Sequence, residues 1–143
     1  MAYRSVYNPK NPQKYAGDAS KIVCRSLWER NVCKFCDETP HIIKWSSEEI
    51  AIPYVNPIDK KVHTYYPDFL VQFKNNSGTH NWMIEVKPKK QTREPEQQKR
   101  KTKKYINEVV TWGVNQAKWK AANEYCLDRG WEFKIITEEH LGL

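Results

Sequence analysis

Two apolar segments of this 143-residue chain carry acidic residues and a lysine at one end. Asp68 precedes the first segment, and Glu85 and Lys87 lie at the end of the second. Residues 75–78 (Asn-Asn-Ser-Gly) separate the two segments and are typical of a turn. The sequence therefore predicts a β-hairpin with charged side chains at the end far from its turn.

The register of this hairpin decides whether the charged side chains meet. If residues 75–78 form the loop, Lys74 pairs with Thr79, and Asp68 then lies opposite Glu85. Directly opposed residues of antiparallel strands point to the same face, with Cβ atoms roughly 4.5–5.5 Å apart. Because side chains alternate along a strand, Lys87 lies on that face too. We therefore expect two carboxylates and an ammonium group to converge.

Carboxylates this close repel each other, and unpaired buried carboxylates are costly. A divalent cation between Asp68 and Glu85 removes both penalties. Oxygen ligands favour Mg²⁺, which binds one or two carboxylates together with substrate phosphate oxygens. We expect Mn²⁺ to substitute for Mg²⁺, and the main-chain carbonyl of Val86 is a further candidate ligand.

Such a site suits hydrolysis of a phosphodiester. A bound metal polarises the phosphoryl oxygen and generates hydroxide near neutral pH. Lys87 is expected either to position the attacking water or to neutralise charge on the phosphorus centre. The sequence contains no Gly-rich phosphate loop, no Gly-x-Ser-x-Gly and no His-Glu-x-x-His, and its four histidines are scattered.

A basic block follows the hairpin directly. The chain has a formal net charge of +7, and residues 87–104 contain nine Lys/Arg but only two acidic residues. Such a block is either a solvated surface or a binding site for a polyanion, and its position after Lys87 favours DNA. It lacks the interleaved apolar face of a membrane-binding helix. Phosphate contacts are expected from Lys89, Lys90, Arg93, Lys99, Arg100 and Lys103.

A helix is predicted from Asp18 or Ser20 to about residue 37. It places Glu29 on a stripe with the apolar side chain of Cys33. Glu29 therefore has two interpretations. It forms a salt bridge with a neighbouring arginine (Arg25 or Arg30), or it is a third acid that binds a metal or a metal-bound water beside Asp68.

The remaining elements must enclose the hairpin. Strands are predicted over residues 46–55, 64–74, 81–87 and 131–137, and two helices over 96–111 and 115–128, with Gly113 at their joint and Gly130 as a stop. The hairpin strands are apolar on both faces, so helices must cover both sides of the sheet. The prediction is an α/β fold with a mixed sheet flanked by helices.

The chain is predicted to have an extended N-terminal arm over residues 1–19 and one domain over residues 20–143. The motif Cys33-x-x-Cys36 invites a zinc or redox interpretation, but no second cysteine pair follows, and buried thiols are favoured. No segment resembles a membrane span or a secretory signal. We expect the protein to act inside a cell or in a particle assembled there.

The catalytic candidates resemble the PD-(D/E)xK nuclease superfamily. Pro67-Asp68 is followed by Glu85-Val86-Lys87, and both come after the predicted helix with Arg25-Ser26-Leu27-Trp28-Glu29. The resemblance implies a restriction-endonuclease-like core with the element order αβββαβ. It also implies Mg²⁺-dependent DNA hydrolysis, with the catalytic and metal positions at Glu29, Asp68, Glu85 and Lys87.

A narrower resemblance includes three further motifs, Trp45-Ser46-Ser47-Glu48-Glu49, Ile52-Pro53-Tyr54 and Tyr66-Pro67-Asp68-Phe69. These are similar to the head-completion nucleases of tailed myoviruses and to the endonuclease subunit of heteromeric transposases. The first family implies endo- or exonuclease activity that finishes the DNA-filled head before the tail joins. It places the protein in the host cytoplasm during assembly, or in the virion, with head or neck proteins or a second copy as partners.

Two alternatives stay open. One is a transposon or recombination endonuclease subunit, which would need a partner recombinase. The other is a non-catalytic DNA-binding connector between head and neck that uses only the basic block. A pure binder gains nothing from carboxylates near phosphates, which argues against the connector.

Overall fold

The computed structural model of the protein describes residues 4–140. A four-stranded sheet forms its centre, with the order β3 (Ile42–Ser47), β6 (Phe69–Asn75), β7 (Gly78–Val86) and β8 (Glu132–Ile136). β3, β6 and β7 are antiparallel neighbours, and β8 runs parallel to β7. The predicted mixed sheet is confirmed.

The predicted hairpin register is also confirmed. Lys74 pairs with Thr79, and Phe69 pairs with Ile84 at the far end. Asn75 pairs with Gly78, so the turn is shorter than the predicted loop and consists of residues 76 and 77. Gly78 has φ +117°, which a residue with a side chain rarely adopts.

The first helix, α1 (Leu27–Glu38), begins later than predicted. The hydroxyl of Ser26 accepts a hydrogen bond from the Glu29 N–H, which caps the first turn. The start at Asp18 or Ser20 is wrong because Asp18 accepts from the N–H of Ser20 and forms a local turn. The chain then forms β2 (Val23–Cys24), which pairs with β1 (Ser5–Val6).

Two predicted strands are each divided in two. The strand over 46–55 is interrupted at Glu48, whose φ is +55°, so β3 ends and β4 (Ile52–Val55) begins separately. The strand over 64–74 is interrupted by residues 66–68, where Pro67 offers no N–H to a sheet. β4 and β5 (Val62–Tyr65) pair in a separate two-stranded sheet.

The two helices predicted over 96–111 and 115–128 are one helix, α2 (Lys103–Arg129), which begins later than the predicted start at residue 96. Thr102 caps its first turn, because the Thr102 hydroxyl accepts from the Tyr105 N–H, and the helix continues through Gly113. The predicted joint is wrong because one glycine costs only about 1 kcal/mol in a helix. Gly130 ends α2 with φ +71°, as predicted.

The helices cover opposite faces of the sheet. Cys33 of α1 packs with Trp45 and Phe69 on one face, and Trp119 of α2 packs with Met83 on the other. Without the small accessory strands, the element order is αβββαβ, as predicted. No helix within residues 4–140 is long and apolar enough to cross a membrane.

The described part of the predicted N-terminal arm packs against the domain. Tyr7 and Tyr15 are buried in the core beneath α1, and the Tyr7 hydroxyl donates to Asp37 Oδ2 at 2.8 Å. Cys33 and Cys36 are free thiols in the same core, and burial raises the pKa of Cys36 to about 12. Within residues 4–140 the acidic and thiol groups that could hold a metal include no cysteine.

Candidate active site

The end of the hairpin brings Asp68, Glu85 and Lys87 together. Asp68 Oδ2 accepts a hydrogen bond from the Val86 N–H at 2.7 Å, which fixes this carboxylate against β7. Glu85 is only 6% exposed, and the Tyr65 hydroxyl donates to its Oε2. Lys87 Nζ lies 3.7 Å from Glu85 Oε1. The acid–acid–lysine arrangement expected from the sequence is therefore formed.

Glu29 reaches this site from the first turn of α1. Its carboxylate accepts from the Arg25 N–H at 3.3 Å, and within residues 4–140 it forms no ion pair with the side chain of Arg25 or Arg30. A carboxylate oxygen of Glu29 lies within 4.8 Å of one from Asp68. Of the two interpretations of Glu29, the structure favours the third acid.

Glu48 is a site residue that the sequence reasoning missed. One of its carboxylate oxygens lies within 4.8 Å of oxygens from both Glu29 and Asp68. Its N–H donates to the Asp68 carbonyl at 3.1 Å, and the Arg25 guanidinium binds its carboxylate at 2.9 and 3.2 Å. A positive φ at a residue other than glycine is uncommon, and such residues cluster at functional sites.

One feature of the sequence points to Glu48. It lies in the motif Trp45-Ser46-Ser47-Glu48-Glu49, which contributes to the resemblance with nucleases. The hairpin register alone does not reach Glu48, because its position depends on how β3 pairs with β6. Ser47 pairs with Phe69, so Glu48 lies opposite Asp68.

The positive charge around the three predicted acids does not offset the cost of burying their carboxylates. Burial, together with the charge of Glu85, raises the pKa of Asp68 well above its usual range. Burial also raises the pKa of Glu29 and of Glu85. The ionised cluster is thus poorly compensated, and a cation would stabilise it. Its donors are all oxygens, which is the ligand chemistry that Mg²⁺ and Mn²⁺ accept.

The acids divide into two groups. Glu29, Glu48 and Asp68 form the one group of three side chains within residues 4–140 that could hold a metal. Glu85 lies beside it, between Tyr65 and Lys87. Val86 contacts Asp68 through its N–H, and the role of its carbonyl stays a prediction.

Helix α2 contributes a second cation. Lys118 Nζ lies 5.8 Å from the centre of the Tyr65 ring and 5.9 Å from that of Tyr54. Its charge favours the ionised form of Glu85 and so opposes the effect of burial on the pKa of that residue. No sequence motif pointed to Lys118, because its position depends on how α2 packs.

The predicted DNA-binding residues do not all line one cleft. Lys89, Lys90, Arg93 and Lys103 line a cleft between the segment after β7 and the start of α2. Lys89 is already engaged there, since its Nζ lies 2.6 Å from Glu139 Oε1. The remaining two, Lys99 and Arg100, are exposed and do not line this cleft.

Comparison with known proteins identifies related nucleases. Residues 39–138 match the family described as TnsA-like endonuclease N terminal. The chain is 41% identical over 145 aligned positions to the head completion nuclease of Enterobacteria phage T4, with 99% of this chain and 95% of the relative covered. No solved structure matches the chain.

Proposed function

We propose that this chain, which belongs to the family of TnsA-like endonuclease N-terminal domains, is a metal-dependent deoxyribonuclease. One observation carries the proposal. Carboxylate oxygens of Asp68, Glu29 and Glu48 lie within 4.8 Å of one another, beside Glu85 and Lys87. The three acids come from the end of the hairpin, the first turn of α1 and the interruption after β3. A protein that only bound DNA would have no use for a carboxylate cluster facing phosphates.

The metal would be Mg²⁺, with Mn²⁺ as a substitute, held by Asp68, Glu29 and Glu48. Glu85 and the Val86 carbonyl are further candidate ligands. When bound, such an ion polarises the phosphoryl oxygen and lowers the pKa of a coordinated water. The raised pKa of Asp68 supports this assignment, because a carboxylate set that is costly to ionise alone gains most from a cation.

The chain's own residues divide the remaining work. Tyr65 donates to Glu85 and fixes its orientation, and Lys87 faces the other oxygen of that carboxylate. In hydrolysis a bond forms between the water oxygen and phosphorus, and the bond from phosphorus to the leaving oxygen breaks. Lys87 would stabilise the negative charge on the phosphoryl oxygens, and the leaving oxygen would gain a proton.

We propose that the biological role is completion of a phage head before the tail joins. The support is the name of the T4 relative, which aligns with 99% of this chain. The protein would then act in the host cytoplasm during assembly or in the virion. Head or neck proteins, or a second copy of the chain, would be its partners.

A transposon-type endonuclease subunit is the second candidate, and the family match favours it. Such a subunit would need a recombinase to direct it to DNA. Purified protein that cuts DNA alone argues for the first role, and protein that cuts only with a recombinase present argues for the second.

The test is incubation of purified protein with linear and circular DNA in EDTA, Mg²⁺ or Mn²⁺. We expect cleavage only with metal, and loss of cleavage in Asp68→Asn and in Glu85→Gln. Asp128→Asn, which changes an exposed acid on α2, is the matched control. Full activity in both site variants would refute the assignment. Cutting of circular DNA would indicate an endonuclease, and cutting of linear DNA alone an exonuclease.

A further inference from the structure

A cleft lies between the segment that follows β7 and the first half of α2. Its volume is about 1120 Å³. Pockets that enclose one drug-sized molecule measure roughly 300–1,000 Å³, so this cleft has room for a few linked nucleotides. The residues that line it belong to two segments of the chain. One follows Lys87, and the other is the part of α2 that precedes Lys118.

The walls of the cleft lie close along the chain to residues of the site. One wall begins at Lys89, two residues after Lys87. The other wall is a face of α2 that reaches Asn115, and Lys118 follows one turn later, where its charge acts on Glu85. Both walls of the cleft are therefore joined through the chain to residues of the site.

Two aromatic rings line the cleft on the same face of α2. Tyr105 and Trp112 are seven residues apart, which corresponds to about 10.5 Å along a helix. That spacing is about three steps of 3.4 Å along a nucleic-acid strand. Trp112 is held in place by an edge-to-face contact with the buried Trp119, with ring centres 6.4 Å apart. Bases of a single strand can stack on such rings, whereas bases inside a duplex cannot.

A buried amide also lines the cleft. Asn115 is only 5% exposed. Its amide carries both a donor and an acceptor, which are the groups that pair with the edge of an unpaired base.

The charges of the cleft suit a short polyanion. Lys90, Arg93, Lys103 and Lys104 are exposed cations on its walls, and Lys89 is paired with Glu139. Three acids also line the cleft, so its positive excess is small, as expected for a few phosphates rather than a long duplex. The acids are Glu94, Glu96 and Glu108.

We propose that this cleft binds a short single-stranded segment of DNA next to the scissile phosphate. Phosphates would contact the cations of the cleft, and bases would stack on Tyr105 and Trp112. The preferred substrate is then DNA whose duplex is open beside the cut, such as a frayed end, a flap or a single-stranded tail. This inference rests on the proposed nuclease function and adds its substrate class.

The test is fluorescence anisotropy with the full chain in EDTA, where no cleavage is expected. The probes are a labelled oligothymidine, a blunt hairpin duplex and the same hairpin with a single-stranded thymidine tail. We expect the tailed hairpin and the oligothymidine to bind more tightly than the blunt hairpin. Tyr105→Ala should weaken binding of the tailed hairpin about tenfold and leave the blunt hairpin unchanged.

Two variants separate stacking from folding. Tyr105→Phe keeps the ring and should bind as the wild type does. Ile106→Ala removes an exposed side chain next to Tyr105 and should have no effect. Equal binding of blunt and tailed hairpins, or a Tyr105→Ala variant that binds like the wild type, would overturn the proposal.

The same variants distinguish this proposal from the proposed function. Ring-dependent binding of tailed DNA without any cleavage in Mg²⁺ or Mn²⁺ would reject the nuclease and leave the cleft as a single-strand site. Cleavage that does not depend on a tail or on Tyr105 would reject the cleft and leave the nuclease.

Discussion

The two oxygens of Glu85 have different partners, and this asymmetry sets the properties of the carboxylate. Tyr65 donates to Oε2, whereas Lys87 lies 3.7 Å from Oε1. Burial raises the pKa of Glu85, and the Tyr65 hydrogen bond and the charges of Lys87 and Lys118 lower it. Tyr65 is therefore a positioning residue that holds Glu85 in place and helps to keep it ionised.

We expect Tyr65→Phe to reduce kcat by about 10–100-fold, the usual effect of removing an outer hydrogen bond from a metal site. Loss of the hydrogen bond raises the pKa of Glu85, so the acidic limb of the activity profile should move to higher pH. Tyr66→Phe, at an exposed neighbour, is the control. A lower kcat without a shift of the pH profile would indicate a purely structural role for the hydroxyl.

Asp68 links the site to stability. Because its pKa is raised in the folded protein, the folded state binds this proton more tightly than the unfolded chain does. The stability of the metal-free protein should therefore fall as pH rises from the unfolded pKa of about 3.9 through the raised folded value. Asparagine cannot ionise, and its amide oxygen can still accept from the Val86 N–H.

Asp68→Asn should thus raise the melting temperature in EDTA at about pH 8, with a smaller gain near pH 5. About 1 kcal/mol of relieved repulsion corresponds to roughly 4 °C in a domain of this size. Thermal denaturation of both proteins across this range measures the difference, with Asp128→Asn as the control. A gain that does not change with pH would show that ionisation of Asp68 is not its cause.

Among the helices and strands, short-range sequence patterns predicted some features and missed others. The turn residues before Gly78 and the alternation around them fixed the hairpin, because both act over neighbouring residues. The break at Glu48 gave no local signal, since Ser47-Glu48-Glu49 fits a strand. The Glu48 N–H donates to the Asp68 carbonyl at 3.1 Å, a contact between segments that are distant in the sequence.

Gly113 is the clearest test of the continuous α2 helix. A Cβ placed there meets nothing within 4 Å, and alanine favours a helix over glycine by about 1 kcal/mol. We expect Gly113→Ala to stabilise the protein by that amount and to raise its melting temperature by roughly 4 °C. Destabilisation would indicate that the chain is not helical at this position.

Gly130→Ala is the matched control for that substitution. A Cβ at Gly130 also meets nothing within 4 Å, but its φ is +71°. The left-handed conformation costs a residue with a side chain roughly 1–2 kcal/mol, so Gly130→Ala should destabilise the protein. The same chemical change therefore has opposite expected signs at two sites of one helix.

In the whole molecule, the site depends on both faces of the sheet. Glu29 comes from α1 on one face, Lys118 from α2 on the other, and Asp68 from the segment just before β6. The sequence predicted Asp68, Glu85 and Lys87 because a single hairpin relates them. Glu48 and Lys118 could not be found this way, because only long-range packing places them near the same point.

The positions of the basic side chains allow the contribution of the cleft to DNA binding to be separated from that of the rest of the basic block. Lys103 and Lys104 line the cleft, whereas Lys99 and Arg100 are exposed outside it. Replacing either pair with glutamine removes the same charge from the protein.

Each phosphate contact contributes roughly 0.7–0.9 to the slope of log K against log salt. We therefore expect the Lys103/Lys104 double variant to lower the slope for tailed DNA by about 1.4–1.8, and the Lys99/Arg100 variant to lower it much less. Equal changes would mean that the strand contacts the whole basic block, because a general field depends on total charge rather than on which side chains line the cleft.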